Sequence, residues 1–599
     1  MPSIDSEPKP SQATPQRKLE SVRRFLIRRL AVLGITGTPF LIALSVVIGI
    51  AGGVGSLMFR WLIEFFNQTF LVDVPNLLGT PYALPFVTMF GFLAVSLIVN
   101  RWAKEAKGHG VPEVMAAVAT NNGVIRPRVA IIKSIASALC IGSGGSVGRE
   151  GPIVQIGSAT GSAVGQMLGF TGERLKVLVG CGAAAGISAT FNAPIAGGFF
   201  ALEVILGDFS ISTFSPILFA SVIAAAFSRS ASGNETAFIV PEYNLTTSYE
   251  LFFYVALALL SGFVAVFFSK MLYAVEDFFD RIPISVHLKA CLGGLMVGGI
   301  GLFFPQILGV GYDTITGILL NQINLTLILA LLAVKLVATS FTLGAGGSGG
   351  VFAPSLFIGA SVGGAFGFVL NALFPDIVSE PGAYALVGMG AVVAGTTHAP
   401  LTAMLILFEL TDDYEIILPL ILGTVISSLF SRYLDRESIY TLKLARRGLR
   451  ISQGFDMNVL GKLTAGDAMS TEYEFVRTDT PLGEISALFQ NSTLVDFPVV
   501  NATDGLKGII PLSDIKPVVF DHDLYNLLIA EDMMSSDPPY IEADAPLVEA
   551  LALLAEGDVS TLPLVENSVN MKLVGVLTHQ GLMVHYHREI QRIDGERVH

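Results

Sequence analysis

Cysteine is nearly absent from this chain: 599 residues carry three, Cys140, Cys181 and Cys291, and none stands at metal-binding or redox spacing from another. A disulfide framework and a thiolate metal site are therefore excluded, and the three read as small buried hydrophobes. No His-Glu-x-x-His run occurs, which removes the usual zinc-peptidase helix. Charge is scarce as well. Only 14% of the residues are charged, against about a quarter in a soluble domain, and mean hydropathy is +0.65. These values describe a polytopic membrane protein with something soluble attached. Long clean apolar runs are also few: several, such as Pro216–Ala226, Ala290–Phe304 and Ile416–Leu429, fall short of the roughly 20 residues that cross a bilayer.

What is present is organised by glycine. Gly142-Ser-Gly-Gly-Ser-Val-Gly-Arg-Glu-Gly-Pro152 carries Arg149 and Glu150 inside strongly apolar sequence. The stretch recurs. Lys133 to Gly165 aligns with Lys335 to Gly367 without a gap, at a constant offset of 202 residues. Gly142, Gly144, Gly145, Ser146, Gly148 and Pro152 fall on Gly344, Gly346, Gly347, Ser348, Gly350 and Pro354. Slightly further on, Ala193-Pro194 followed by Glu203 matches Ala399-Pro400 followed by Glu409. Repeated apolar segments broken by Gly and Pro at corresponding places point to the binding site of a membrane transporter. Glycine spacing such as Gly157, Gly161, Gly165 also serves close helix packing in lipid. Packing does not account for Arg149 and Glu150, because charges inside a membrane are costly and mark function.

Short interrupted helices are tolerated only where irregular backbone is buried or lines a wet cavity. The predicted fold is an all-α membrane domain of many tilted and half-crossing helices over residues 35–442, with repeat 1 at about 35–210 and repeat 2 at about 250–430. The alignment shows repetition and leaves the relative orientation of the halves open. The tail 1–34 is rich in Pro, Ser and Gln and reads as disordered. Its basic residues Arg17, Lys18, Arg23, Arg24, Arg28 and Arg29 place the N-terminus in the cytoplasm, and no signal peptide is expected. Net charge is −13 with acidic residues gathered after position 460, and no nucleic-acid partner is expected.

After a linker at 443–462, a soluble α/β-patterned region is itself duplicated at 463–522 and 528–590. Ala465-Gly-Asp-Ala-Met469 answers Ala530-Glu-Asp-Met-Met534, and Phe497-Pro-Val-Val500 answers Leu562-Pro-Leu-Val565. The region resembles a pair of cytoplasmic CBS domains, modules that often bind adenine nucleotides. Their ribose-binding pattern ends in Thr/Ser-x-x-Asp, and here each copy is incomplete: Asp514 follows Pro511, and Thr578 precedes Gly581. A nucleotide at Asp514 and Thr578, or a purely structural role, are both open.

The membrane part resembles the CLC family of chloride channels and chloride/proton exchangers across about residues 35–442. The resemblance is carried by Gly108-His-Gly-Val-Pro112, Gly148-Arg-Glu-Gly-Pro152, Gly350-Val-Phe-Ala-Pro354 and Tyr440, in that order. It implies an inverted repeat in a homodimer in the lipid bilayer, with one complete anion pathway per subunit. The backbone N–H groups of Val351 and Phe352 and the Tyr440 hydroxyl would hold the central anion. Gly108, His109, Gly110, Arg149 and Gly151 would line the path, and Glu150 would be the gate. Physics supports the pattern: helix N-termini offer unpaired N–H groups and about half a positive charge, and glycine lets backbone approach the ion. The bland alternatives are a structural ion pair of Glu150 with Arg149 and an interfacial aromatic role for Tyr440.

Two positions depart from the family pattern. His109 stands where Ser or Pro is usual. An imidazole can donate to an anion and can charge near neutral pH, or it can point away and leave the work to the Gly108 and Gly110 amides. Val204 stands at the proton-transfer position that many exchangers fill with glutamate, which leans towards a passive channel; a chloride/proton antiporter is the alternative. Glu203 aligns with a neighbouring structural glutamate, echoed by Glu409. Two remoter rivals are an intramembrane serine protease built on Ser348 and His398 and a CBS-linked divalent-cation transporter. No catalytic residues, metal or tightly bound cofactor are expected. The expected setting is the cell membrane, with both termini cytoplasmic.

Overall fold

The computed structural model describes residues 38–449 apart from 234–237, 239, 242, 244–246, 248, 412 and 413. It describes 463–596 apart from 493–495, 512–514, 516–523, 526, 536 and 557–559. The chain divides into two compact units at Ile451 and Ser452.

In the first unit, among the described residues and apart from the short helix Val74–Leu78, a set of eight helices is followed by a second set of eight. The first comprises α1 (Thr38–Asn67), α2 (Leu84–Trp102), α3 (Val111–Thr120), α4 (Arg128–Gly142), α5 (Glu150–Met167), α6 (Gly172–Phe191), α7 (Pro194–Phe200) and α8 (Ile211–Ser232). The second comprises α9 (Glu250–Arg281), α10 (Val286–Phe303), α11 (Tyr312–Leu319), α12 (Leu325–Gly344), α13 (Phe352–Leu373), α14 (Pro381–Thr397), α15 (Pro400–Thr411) and α16 (Ile417–Leu434). A short α17 (Thr441–Arg446) closes the unit. Among the described residues, nine helical segments are long and apolar enough to cross a membrane.

The same bonds occur in both sets. The Lys133 ammonium donates to the carbonyls of Ala106 (3.0 Å) and Gly108 (2.7 Å), and Lys335 donates to those of Ile307 (3.1 Å) and Gly309 (3.3 Å). Helix α6 ends on Asn192 and α14 on His398, both left-handed with φ of 61° and 58°. Ser228 bonds the carbonyl of Ala189, and Ser431 that of Gly395. Because α8 answers α16 in this way, the first half extends to Ser232, past the limit of 210 read from the sequence.

The relation between the halves is fixed at one point. Gly148 N–H donates to Gly350 O at 2.8 Å, and Gly350 N–H donates to Gly148 O at 2.7 Å, as an antiparallel bridge. These are equivalent residues of the two repeats. Equivalents that donate to each other reciprocally are related by a two-fold rotation, since a translation would make one only donor and the other only acceptor. The two halves are therefore related by a local two-fold rotation at this point.

A boundary also moves. The sequence limit at 442 cuts through α17, which belongs to the membrane unit. Lys443 and Leu444 on it are buried, and Arg447 just beyond it pairs with Glu113 at 2.7 Å.

The second unit holds two three-stranded sheets of identical plan. β1 (Val476–Arg477) pairs parallel with β2 (Asp496–Val500), which pairs antiparallel with β3 (Leu506–Pro511). β4 (Ile541–Glu542), β5 (Thr561–Val565) and β6 (Leu573–Thr578) repeat this order. The halves exchange parts. Leu463, Ala465 and Ala468 pack in the core of the second copy, and Ala530 packs in the core of the first. The Asp496 carboxylate joins them by accepting from the N–H groups of Ser560 (2.5 Å) and Thr561 (3.0 Å).

Candidate functional site

Three glycine-rich loops meet where α3, α5 and α13 begin. Besides the Gly148–Gly350 pair, Gly108 N–H donates to Gly347 O (3.1 Å) and Gly349 N–H to Gly108 O (3.3 Å). The approach is too close for side chains. A Cβ at Gly110, where φ is +87°, would lie 2.7 Å from the Gly151 carbonyl oxygen, and one at Gly350 would lie 2.7 Å from the Gly151 nitrogen.

These bonds decide which amides remain for an anion. The N–H groups of His109 and Gly110 on one side, and of Val351 and Phe352 on the other, make no hydrogen bond among the described residues. The Gly108 amide is engaged by Gly347, so its inclusion among the backbone donors is corrected. Gly108 serves instead to turn the chain, with φ of +76°. Four unpaired N–H groups at the starts of two helices suit a dehydrated anion.

Glu150 is the first residue of α5 and is buried. Its Oε2 accepts from Ala353 N–H at 3.3 Å, and its Oε1 accepts from the Tyr312 hydroxyl. The carboxylate thus sits at the start of α13. Arg149 makes no ion pair with it. One guanidinium nitrogen of Arg149 faces Thr190 O at 3.5 Å, and the group lies over the Tyr312 ring, 5.1 Å from its centroid. Gly151 follows in the first turn, tight against the His109 carbonyl.

Tyr440 is buried at the foot of α17, which packs on α3. Its position is fixed through Ile439, whose N–H donates to Thr396 O (2.8 Å) and whose carbonyl accepts from Tyr273 OH (2.5 Å). His109 is buried, with Nδ1 unpartnered and its ring 6.0 Å from that of Tyr273. Lys443 is 7% exposed and makes no hydrogen bond among the described residues, and a Cβ on Gly108 would stand 2.5 Å from its Nζ.

Sequence reasoning missed Tyr312 and Lys443. Tyr312 had a signal: Gly309-Val-Gly-Tyr312 occupies the place in the second half that Gly108-His-Gly-Val111 holds in the first. Gly309 and Gly311 repeat the positive φ of Gly108 and Gly110.

Val204 lies on a π-helical stretch, Ala201–Leu206, that continues α7 and packs on α3. It is 3% exposed within the apolar core. Its neighbour Glu203 accepts from Leu401 N–H (3.2 Å), Thr402 N–H (2.8 Å) and Thr402 Oγ1 (2.6 Å) at the start of α15. Glu409 on α15 accepts from Ile195 N–H (2.9 Å) and Ala196 N–H (2.7 Å) at the start of α7.

The protease constellation does not form. Ser348 Oγ donates to Ala106 O at 2.6 Å and pairs with Ser137 at 2.8 Å, whereas His398 Nε2 faces Ser431 at 3.3 Å. Among the described residues no group of three or more His, Cys, Asp or Glu is placed to hold a metal.

In the second unit Thr578 lines a cavity of about 470 Å³ together with Asp467, Ser470, His585 and Arg588. Its hydroxyl accepts from Gly581 N–H at 3.1 Å, and Gly581 supplies no carboxylate for a ribose. The residues here fit a nucleotide only in part. Asp514 lies outside the described residues.

The family model for voltage-gated chloride channels matches residues 90–432, and the CBS domain model matches 465–521 and 530–588. The chain belongs to the CLC family. A ClcB-like chloride channel protein of Ralstonia nicotianae is 33% identical over 415 residues, covering 68% of this chain and 97% of that protein. The H(+)/Cl(−) exchange transporter ClcA of Vibrio campbellii is 30% identical over 440 residues, covering 72% of this chain and 94% of its own. Among solved structures, a slow cyanobacterial Cl−/H+ antiporter matches with a TM-score of 0.64 at 26% identity, over 68% of this chain and 98% of its own. A eukaryotic CLC transporter shares the fold across 90% of this chain and 97% of its own, with a TM-score of 0.67 at 18% identity. This CLC chain is thus a multi-pass integral membrane protein of anion transport, not an enzyme, and it carries a C-terminal CBS pair.

Proposed function

We propose that this CLC protein passes chloride through the site at the starts of α3 and α13, with Glu150 as the gate. The observation that carries the reading is the Glu150 carboxylate on the Ala353 amide (3.3 Å). An ionised carboxylate seated there blocks the path as a tethered anion. Protonated or displaced, it leaves the helix start to chloride. The unpaired amides of Val351 and Phe352, with the Tyr440 hydroxyl, are the ligands of the central anion, and the amides of His109 and Gly110 receive it on the other side.

Passive conduction is the reading that Val204 supports. A valine in the apolar core cannot itself relay a proton at the position where many exchangers place a glutamate. Chloride/proton antiport is the second reading, favoured by the similarity to proteins named as exchangers. The proposal includes a homodimer, cytoplasmic termini and the cell membrane, with domain limits at 463–522 and 528–590 for the CBS copies.

The test is flux in proteoliposomes under a chloride gradient, with voltage clamped and internal chloride and pH recorded together. Chloride movement without coupled proton movement supports the channel. Uphill proton transport driven by chloride establishes the exchanger instead, and absence of chloride flux removes both.

A further inference from the structure

Tyr312 is the side chain that holds Glu150 from the opposite half of the fold. It is the first residue of α11, and its hydroxyl donates to Glu150 Oε1. The ring is held on two sides: the Phe238 ring lies 5.9 Å away, centroid to centroid, and the Arg149 guanidinium 5.1 Å from its own centroid. Its backbone is fixed by Gly309 and Gly311, both at positive φ, with Lys335 clamping the Ile307 and Gly309 carbonyls. A side chain braced in this way presents one polar atom, and that atom meets the gate.

The position in the inverted repeat sharpens the point. Helix α3 begins on Val111, which has no polar side-chain atom, whereas α11 begins on Tyr312. The two halves therefore supply different chemistry at equivalent helix starts. The gate carboxylate takes the place of an anion, so the groups that hold it are groups that can hold an anion: the Ala353 amide and the Tyr312 hydroxyl.

We propose that Tyr312 is an anion-coordinating residue at the place the Glu150 carboxylate fills, whose hydroxyl donates to that carboxylate when the gate is shut and to the transported anion when the carboxylate leaves. This rests on the reading of Glu150 as the gate. Two effects follow. Loss of the hydroxyl weakens the hold on the ionised gate, and it also removes one ligand from the conducted anion. The charged and titratable groups facing Glu150 are Arg149 on its own loop, Tyr312 on α11, Lys335 on α12 and Tyr440 beside α17. Among these, the Tyr312 hydroxyl is the one that bonds the carboxylate.

The experiment uses full-length protein in proteoliposomes, with radiolabelled chloride uptake measured against pH and against chloride concentration. Tyr312→Phe keeps the ring and its contacts. It should move the midpoint of acid activation to higher pH by about one unit, as loss of one charge-assisted hydrogen bond to a carboxylate implies. It should also raise the chloride concentration for half-maximal uptake about threefold or more. Incorporating 3-fluorotyrosine at 312 makes the phenol a stronger donor without changing its packing, and should move the midpoint the opposite way. In a Glu150→Gln background, Tyr312→Phe should still raise the half-saturating chloride concentration. An unchanged midpoint and half-saturation in Tyr312→Phe, or shifts of the same sign for the two substitutions, would overturn the proposal. If Glu150→Gln alone left acid activation intact, the gate reading would fail. The chloride dependence of Tyr312→Phe would then still decide whether the hydroxyl binds the anion.

Discussion

The Glu150 carboxylate lies 3.3 Å from the amide of Ala353, so a side chain from the first half of the repeat closes on a helix start of the second. Substituting Glu150→Gln keeps the size and removes the charge that competes with chloride there. Chloride flux at neutral pH is expected to rise about tenfold, since each charge-assisted bond to the carboxylate contributes about 1.5–3 kcal/mol to the shut state. Its dependence on pH should flatten. A flux that still rises on acidification in this variant would remove Glu150 from the gate.

The close approach of the three loops predicts a sharp contrast between two glycines. A Cβ at Gly350 meets the Gly151 nitrogen at 2.7 Å, while one at Gly299 on α10 meets nothing within 4 Å. Gly350→Ala should therefore reduce chloride flux to about a tenth or less by displacing the helix starts. Gly299→Ala should leave flux unchanged and stabilise the helix by up to about 1 kcal/mol. Equal flux in the two variants would contradict the geometry.

Glu203 and Glu409 predict a matched pair of stability losses. Each carboxylate accepts two N–H groups at the start of the other's helix. Replacing either by glutamine turns one acceptor into a donor facing N–H groups, at a cost of about 1–3 kcal/mol. Thermal unfolding in detergent should show lowered midpoints of similar size. A loss confined to one of them would argue that the two are not equivalent.

Lys443 is buried beside Gly108 with no hydrogen bond of its own among the described residues. Lys443→Met should slow chloride uptake about threefold or more at low chloride, because a cation beside the site in a low-dielectric setting concentrates anions. The deficit should shrink as chloride or ionic strength rises. Uptake equal to that of the native protein at low chloride would refute this role.

In the C-terminal unit the pH sensitivity has a defined sign. The Asp467 carboxylate accepts from Thr464 N–H and Thr464 Oγ1, both at 2.8 Å. These bonds lower its pKa below the usual 3.8. A lowered folded-state pKa means that the stabilisation is present above pH ~4 and is lost as pH falls through the folded value. Thr464→Val removes the hydroxyl's bond and keeps the N–H bond, so it should remove part of this stabilisation, costing about 1 kcal/mol at neutral pH and less in strong acid. Hydrogen exchange of residues 465–468 in the full-length protein, followed against pH, measures this.

Much of the site was legible because backbone chemistry dictates residue type. Where loops touch at 2.7 Å only glycine fits, so the offset of 202 that carries Gly148 onto Gly350 survives in the sequence. The two-fold relation of the halves was not legible, because an alignment compares order along the chain and not direction in space; the reciprocal bonds of Gly148 and Gly350 supply it. Tyr312 was hidden because its loop shares only two glycines with the loop of His109. Lys443 was hidden because it begins a basic run that reads as a connector, although α17 folds it back against α3. The Gly108 amide illustrates the opposite error: a motif glycine was assigned as a donor when its N–H is engaged by Gly347.

The Gly148–Gly350 bridge has a mechanical consequence. Proteins that expose a site alternately by rocking one half over the other need a seam there that can open. Here the two halves are bonded backbone to backbone at the site itself, at 2.7 and 2.8 Å, so opening the seam would have to break both bonds. On the proposed gate role of Glu150, the moving part is one carboxylate swinging on its own torsions, a motion that belongs to far shorter times than the microseconds to milliseconds of domain rearrangement. A covalent tether between the halves, placed away from Glu150, should cost this protein little of its speed.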